Sequence, residues 1–307
     1  MGMFKWAEKE SEGSPLFSAA LGAGAIAANP AAVYLREHVL APRYFGTEQK
    51  ILGAAGEVTR EQVKALKKQL IDKSIRGNLL VLPAKDAVIG SFIRAPKNYL
   101  PERAELENLI RKGGLTTLEG VADPLKAIEA IRSVRGFVAL PRSGSHAVTL
   151  AHELGHATSL NPGSYLRRSF PYKFLDNLGR AAIQSGTRTA LGSALLAGSF
   201  DSDDKTKWAV PGALGLTQAA VLGEEALASR KALNALDALK NRSIGKDVLQ
   251  VVGEEGGSRL FNPTMLENAG KSLRQAWGTY GLSAAGLLAA PILAIKAREQ
   301  WDKSHRN

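Results

Sequence analysis

Val63, Leu66, Leu70, Ile71 and Ile75 recur at helical spacing and predict a helix over residues 59–76. Just beyond it the apolar character becomes continuous over residues 78–83, and again over 87–93, which predicts two short strands. Residues 102–112 and 124–134 return to a helical period. Residues 136–141, Gly-Phe-Val-Ala-Leu-Pro, predict a further strand that runs into a helix with Ser143 or Ser145 as its N-cap. Along that helix Ala147, Val148, Leu150, Ala151, Leu154 and Ala157 are apolar, so at least half of its surface is expected to be buried. The pattern gives a mainly α (α+β) fold with a small sheet beside this helix.

Two uncharged stretches frame the chain: residues 13–35, between Glu12 and Arg36, and 275–295, between Arg274 and Lys296. Both reach the roughly 20 residues that a spanning helix needs. They are rich in Ala and Gly, and the first is interrupted by Asn29-Pro30. Gly22, Gly24, Gly281 and Gly286 suit close helix packing, in a membrane or in a dense soluble core. Two shorter apolar runs, 189–200 and 208–223, flank a polar turn at 201–207 and predict a helical hairpin too short for two full crossings. Basic residues lie on the flanks (Arg167, Arg168, Lys173, Arg180, Arg230, Lys231), and Asp201, Asp203 and Asp204 lie at the tip. If the hairpin inserts, the positive-inside rule places its flanks on the cytoplasmic side. The expected organisation is an N-terminal apolar helix, a candidate membrane anchor, within 1–45. A central domain over 46–260 carries the hairpin at 180–223, and 261–307 holds an apolar helix with a basic tail.

With 307 residues and 45% apolar content, the chain can build one large domain or two small ones. The absence of cysteine excludes disulfides, thiolate metal sites and a cysteine nucleophile. A net charge of +11 suits an anionic membrane surface or nucleic acid. No basic stripe is interleaved with aromatics, so no specific nucleic-acid partner is expected. Lys5 and Lys9 alternate with Glu8, Glu10 and Glu12, unlike the positive lead-in of a secretory signal.

Chemistry enters with His152-Glu153-Leu154-Gly155-His156, which fits the H-E-x-x-H template in a chain with only five His. On a helix, residues four apart share a face, so His152 and His156 can aim their imidazoles at one metal ion. Glu153 then stands beside a metal-activated water as general base and can return the proton to a leaving amine. These features predict a zinc-dependent hydrolase with one Zn2+ per chain. A catalytic zinc normally has three protein ligands. The metzincin extension would need Gly and His where Ser159 and Pro162 stand, and no further His follows until His305. A carboxylate from a later segment remains. Asp176, in Leu175-Asp176-Asn177-Leu178-Gly179, is one candidate, with a faint likeness to the L-D-G element of site-2 proteases. His146, near the start of the motif helix, needs no role.

The segment Gly223-Glu224-Glu225-Ala226-Leu227-Ala228-Ser229-Arg230-Lys231-Ala232-Leu233 resembles the second motif of the HtpX and CAAX-prenyl-protease type of membrane gluzincins, roughly E-x-E-A-D-R-x-A-L. Glu225 takes the ligand position, Ala228 and Arg230 match, and Ala232-Leu233 close the pattern. The order of parts, metal-binding helix, apolar hairpin and ligand-bearing helix, is also similar, over roughly residues 137–233. The resemblance implies a gluzincin-like helical core, Glu225 as third ligand and a membrane location, where the charge bias above would put the motif on the cytoplasmic side. It also implies a peptide or protein substrate lying extended along an edge strand formed by Gly136, Phe137, Val138, Ala139 and Leu140. The chain departs from the family at Ser229, where an Asp supports a zinc-binding His, and in its short hairpin preceded by one apolar segment rather than two. Three alternatives stand beside this reading. Glu224-Glu225 could be an acidic helix start favoured by the helix dipole. The enzyme could be a soluble or particle-associated minigluzincin. Or the chain could be a non-enzymatic membrane-binding or assembly protein with a vestigial metal site, which would have no need of Glu153.

Overall fold

The computed structural model describes residues 15–40, 58, 60–84, 91–94, 134–141, 147–201, 203–243 and 263–306. The helices expected over 102–112 and nearly all of 124–134, the N-caps Ser143 and Ser145, and His146 lie outside the described residues. In chain order the elements are α1 (Pro15–Leu35), α2 (Arg60–Leu70), α3 (Lys73–Arg76), β1 (Leu79–Ala84), β2 (Ser91–Arg94), β3 (Gly136–Pro141) and α4 (Ala147–Ala157). They continue with α5 (Tyr165–Arg168), α6 (Phe170–Ser185), α7 (Thr187–Ser199), α8 (Ala209–Ser243) and α9 (Pro263–Arg306). The protein is thus mostly helical with one small sheet.

Two compact units, each discontinuous in sequence, make up the chain. One comprises Met1–Arg43, Phe170–Gly223 and Gln275–Asn307; the other comprises Tyr44–Ser169 and Glu224–Arg274. The second carries the sheet and α4. Its core gathers Val63 and Leu66 of α2, Leu79 and Val81 of β1, Val138 and Leu140 of β3, and Leu150, Ala151 and Leu154 of α4. Ala232, Ala235 and Leu236 of α8 join them.

The helix predicted over 59–76 is broken between α2 and α3. The Asp72 carboxylate accepts from Ser74 N (2.8 Å) and caps a new turn. Asn161, far away in sequence, holds both sides of the break: its Nδ2 donates to Leu70 O (2.9 Å) and its Oδ1 accepts from Asp72 N (3.0 Å). Asn161→Ala is expected to lower stability by about 1–2 kcal/mol, for two backbone groups left without this partner. Urea unfolding with an unchanged m-value would check it.

The sheet order is β1-β3-β2, with β1 parallel and β2 antiparallel to β3. Here the structure corrects the expected edge strand. Gly136–Pro141 is central, and its backbone groups are engaged by β1 on one side and β2 on the other. A strand flanked on both sides has no ladder to offer a peptide. Among the described residues the edges are β1 and β2. β2 packs against α4, and Arg94 at its end donates from Nη2 to Ser159 Oγ (2.8 Å) just beyond that helix.

Small residues dominate the core of the other unit: Ala25, Ala182, Ala190, Ala194 and Ala290 surround Leu287. A Cβ on Gly179 would fall 2.5 Å from Thr217 O, and one on Gly286 would fall 2.5 Å from Ala32 Cβ, so these backbones approach as closely as glycine permits. The predicted hairpin is present as α7 and the first part of α8. They are joined by a 3-10 turn, Lys205–Trp208, with Asp204 as N-cap. The second arm does not stop at Gly223. α8 continues as one helix through Glu224 and Glu225 to Ser243, because no proline or capping residue interrupts it. The two Glu are therefore well inside a helix, and the acidic helix-start alternative falls away. Lys207 at the hairpin tip pairs with Glu299 of α9 (2.7 Å), which places the tip and the C-terminal turns of α9 at the same end of this unit.

Two helical stretches, Ser18–Leu40 and Asn268–His305, are long and apolar enough to cross a membrane. Among the described residues, nearly all of the large apolar side chains that lie exposed belong to this unit, including Ile26 (61%), Leu195 (75%) and Leu216 (64%).

Candidate metal centre

Every residue of α4 except His152 is buried. The sheet covers one side of it, and α8 crosses another so closely that a Cβ on Gly155 would lie 2.4 Å from Ala228 O. The approach is possible because small residues meet there: Gly155 on α4, Ala228 and Ala232 on α8. Glu224, Glu225 and Ser229 lie within about one turn of Ala228 and are brought to the face of α4 that carries both His.

His152 Nε2, His156 Nε2 and Glu225 Oε2 form a nearly equilateral triangle. The two nitrogens are 3.3 Å apart, and the oxygen is 3.3 Å from His152 and 3.4 Å from His156. A tetrahedral zinc with bonds of about 2.0–2.1 Å requires its ligand atoms to be about 3.3 Å apart. The three residues are the described ones whose ligand atoms group together in this way. Asp176, the rival third ligand, is not among them. It sits on α6 and pairs with Arg180 one turn on, at 3.1 Å.

Each imidazole that points its Nε2 inward has its Nδ1 on a supporting group. His152 Nδ1 meets Ser229 Oγ at 3.3 Å, and His156 Nδ1 meets Glu224 Oε1 at 3.3 Å. With Nδ1 carrying the proton, Nε2 keeps its lone pair for a metal. The support expected from an Asp in the resembled family is here given by the Ser229 hydroxyl, at the same position.

Arg167 completes the arrangement. Its Nε donates to Glu224 Oε2 (2.8 Å) and its Nη2 to Glu224 Oε1, a two-pronged pair. Nη2 also donates to the His156 carbonyl (3.1 Å), and Nη1 to Thr158 Oγ1 (2.6 Å), so the same side chain ties off the last turn of α4. Lys231 Nζ reaches Thr158 Oγ1 as well (2.7 Å). Burial and the nearby Arg167 both pull the Lys231 pKa down. Arg167, counted above among the basic flanks of the hairpin, is buried within the site.

The charges of the cluster are strongly coupled. Burial pulls the His156 pKa down, but the carboxylates of Glu224 and Glu225 outweigh it and push it up to about 10. Burial raises Glu224, while His156 and Arg167 draw it to about 2; burial raises Glu225, while the two His hold it well below the usual carboxylate range. The carboxylates thus favour a positive charge at His156, between the two Glu. Glu153 is buried on the same helix, and its charge is felt at His156.

The motif residues were legible in the sequence from spacing alone. Glu224 and Arg167 were not: Glu224 was visible only as a neighbour of Glu225, and nothing in its surroundings marks Arg167. Comparisons with protein-family models, curated proteins and solved structures found no match to this chain.

Proposed function

We propose that the protein is a zinc-dependent endopeptidase of the gluzincin type, divergent from the HtpX and CAAX-prenyl-protease enzymes. His152, His156 and Glu225 would hold one Zn2+ per chain, and Glu153 would act as general base. The observation that carries this reading is the triangle of three ligand atoms at tetrahedral zinc spacing, on an H-E-x-x-H helix and on the helix that continues the second arm of an apolar hairpin. A zinc ion held there would supply Lewis acidity toward a water and a substrate carbonyl. Glu153 takes the proton of the attacking water and passes it to the departing amine. Ser229 and Glu224 keep both imidazoles oriented, so this geometry is in place before substrate arrives. An extended peptide would add to β2, the edge strand packed on α4, rather than to Gly136–Pro141.

The setting we propose is a membrane. The unit built from α1, α6, α7, the first part of α8 and most of α9 carries the two helices of spanning length and exposes large apolar side chains. Exposed area of this extent suits lipid better than water. Within this unit the hairpin tip and the C-terminal turns of α9 would share one face of the bilayer.

Purified protein is expected to carry about one zinc per chain. Glu153→Gln should keep that zinc and slow hydrolysis of a quenched-fluorescence peptide library by about 100-fold or more. A wild-type chain without zinc, or a Glu153→Gln variant as active as the parent, would sink the proposal. Sedimentation with vesicles in the absence of detergent tests the membrane setting: a chain that stays soluble and monodisperse is the minigluzincin alternative.

A further inference from the structure

We propose that Arg167 is a positioning residue of the metal centre, acting through Glu224 to fix the orientation of the His156 imidazole. The inference rests on the zinc-site reading above. Glu224 is buried, and a carboxylate in that place needs compensation for the water it has lost. It receives that compensation from both sides: the Arg167 fork on one, the His156 Nδ1–H on the other.

A fork that grips both carboxylate oxygens leaves the Glu224 plane little freedom to rotate. Oε1 is then held 3.3 Å from His156 Nδ1, and the imidazole is turned so that Nε2 faces Glu225 and His152. The other arms of Arg167 tie it to the helix that carries His156, through the His156 carbonyl and Thr158 Oγ1. Positioner and positioned residue are thus referenced to the same turn of backbone. Arg167 lies on the short helix α5, close after α4 in the chain, whereas Glu224 comes from α8. The Arg–Glu–His relay therefore fastens the ligand helix to the motif helix beside the metal position and does not itself contact the metal.

The test uses the full chain and compares wild type with Glu224→Gln, Arg167→Met, Arg167→Lys and the Glu224→Gln/Arg167→Met double variant. Zinc affinity is read by competition with a chromophoric chelator, and site geometry by the visible absorption of the Co2+-loaded protein. Glu224→Gln and Arg167→Met should each weaken zinc binding by about 10–100-fold and alter the Co2+ bands. Because the two act in series, the double variant should be no weaker than the worse single. Arg167→Lys, which keeps the charge and loses the fork, should fall between wild type and Arg167→Met.

Glu224→Gln is nearly isosteric and decides the matter if Arg167→Met does not fold. Wild-type affinity and an unchanged Co2+ spectrum in Glu224→Gln overturn the inference, as do losses that simply add in the double variant. A wild-type chain that takes up no zinc removes the proposed function itself. Zinc in the wild type with unaffected variants removes the role of Arg167 alone.

Discussion

Glu225→Ala is expected to lose zinc, with affinity falling by more than the roughly 100-fold that loss of a supporting partner can cost, because the proposed site would lose a ligand itself. Glu225 Oε2 is one vertex of the ligand triangle, at 3.3 and 3.4 Å from the two imidazole nitrogens. Among the described residues no other grouping of this kind offers a replacement ligand. The fold should survive. The substitution removes a buried carboxylate and leaves α8 with alanine, the best helix former, while Glu224 still engages His156 and Arg167. Metal analysis after dialysis against a weak chelator, with circular dichroism as the check on folding, reads the outcome. Asp176→Ala, measured alongside, should retain about one zinc per chain, since Asp176 pairs with Arg180 on α6. Undiminished zinc in Glu225→Ala would overturn the ligand assignment.

Gly155→Ala should be the most damaging single-methyl change among the described glycines of the unit that carries α4. Helix propensity alone favours alanine by about 1 kcal/mol. Against that, the added Cβ would sit 2.4 Å from Ala228 O and 2.9 Å from Ala228 C, both backbone atoms of a buried helix that no side-chain rotation can move aside. Overpacking of this kind costs about 3 kcal/mol, so a net loss of about 2 kcal/mol is expected. The relief available is for α4 and α8 to move apart, which would enlarge the triangle and weaken zinc binding at the proposed site. Gly163→Ala is the control: nothing lies within 4 Å of its Cβ position, and its stability should stay close to wild type. Thermal unfolding of the metal-free proteins separates the two. Equal melting temperatures for Gly155→Ala and Gly163→Ala would show that the two helices are not in contact through Gly155.

Both predictions depend on one crossing, and only part of it is readable in the chain. The spacing of His152 and His156 marks a shared helical face, and the apolar residues around them mark a buried helix, because period and hydrophobicity are local properties. The strands around residues 79–84 and 91–94 and the hairpin arms are visible for the same reason. Continuity of α8 through Gly223 was less visible, since a lone Gly among helix formers serves equally as a stop or as a tolerated interior residue. The break at Asp72 is set by Asn161, far along the chain, and no window of sequence contains both.

The chemistry on offer is readable from the chain alone: two imidazoles at helical spacing with a carboxylate between them, no thiol, and apolar stretches of spanning length. Those follow from residue type and periodicity. Folding sets which carboxylate lies beside the two imidazoles, that Glu224 and Ser229 stand behind the rings, that Arg167 is buried against them, and that Gly136–Pro141 lies between two strands rather than at an edge. Each of these is a relation between residues distant in the chain. It is set by how closely Gly155 and Ala228 let two helices approach and by which strands exchange hydrogen bonds, and the path of the backbone supplies that where composition and spacing do not.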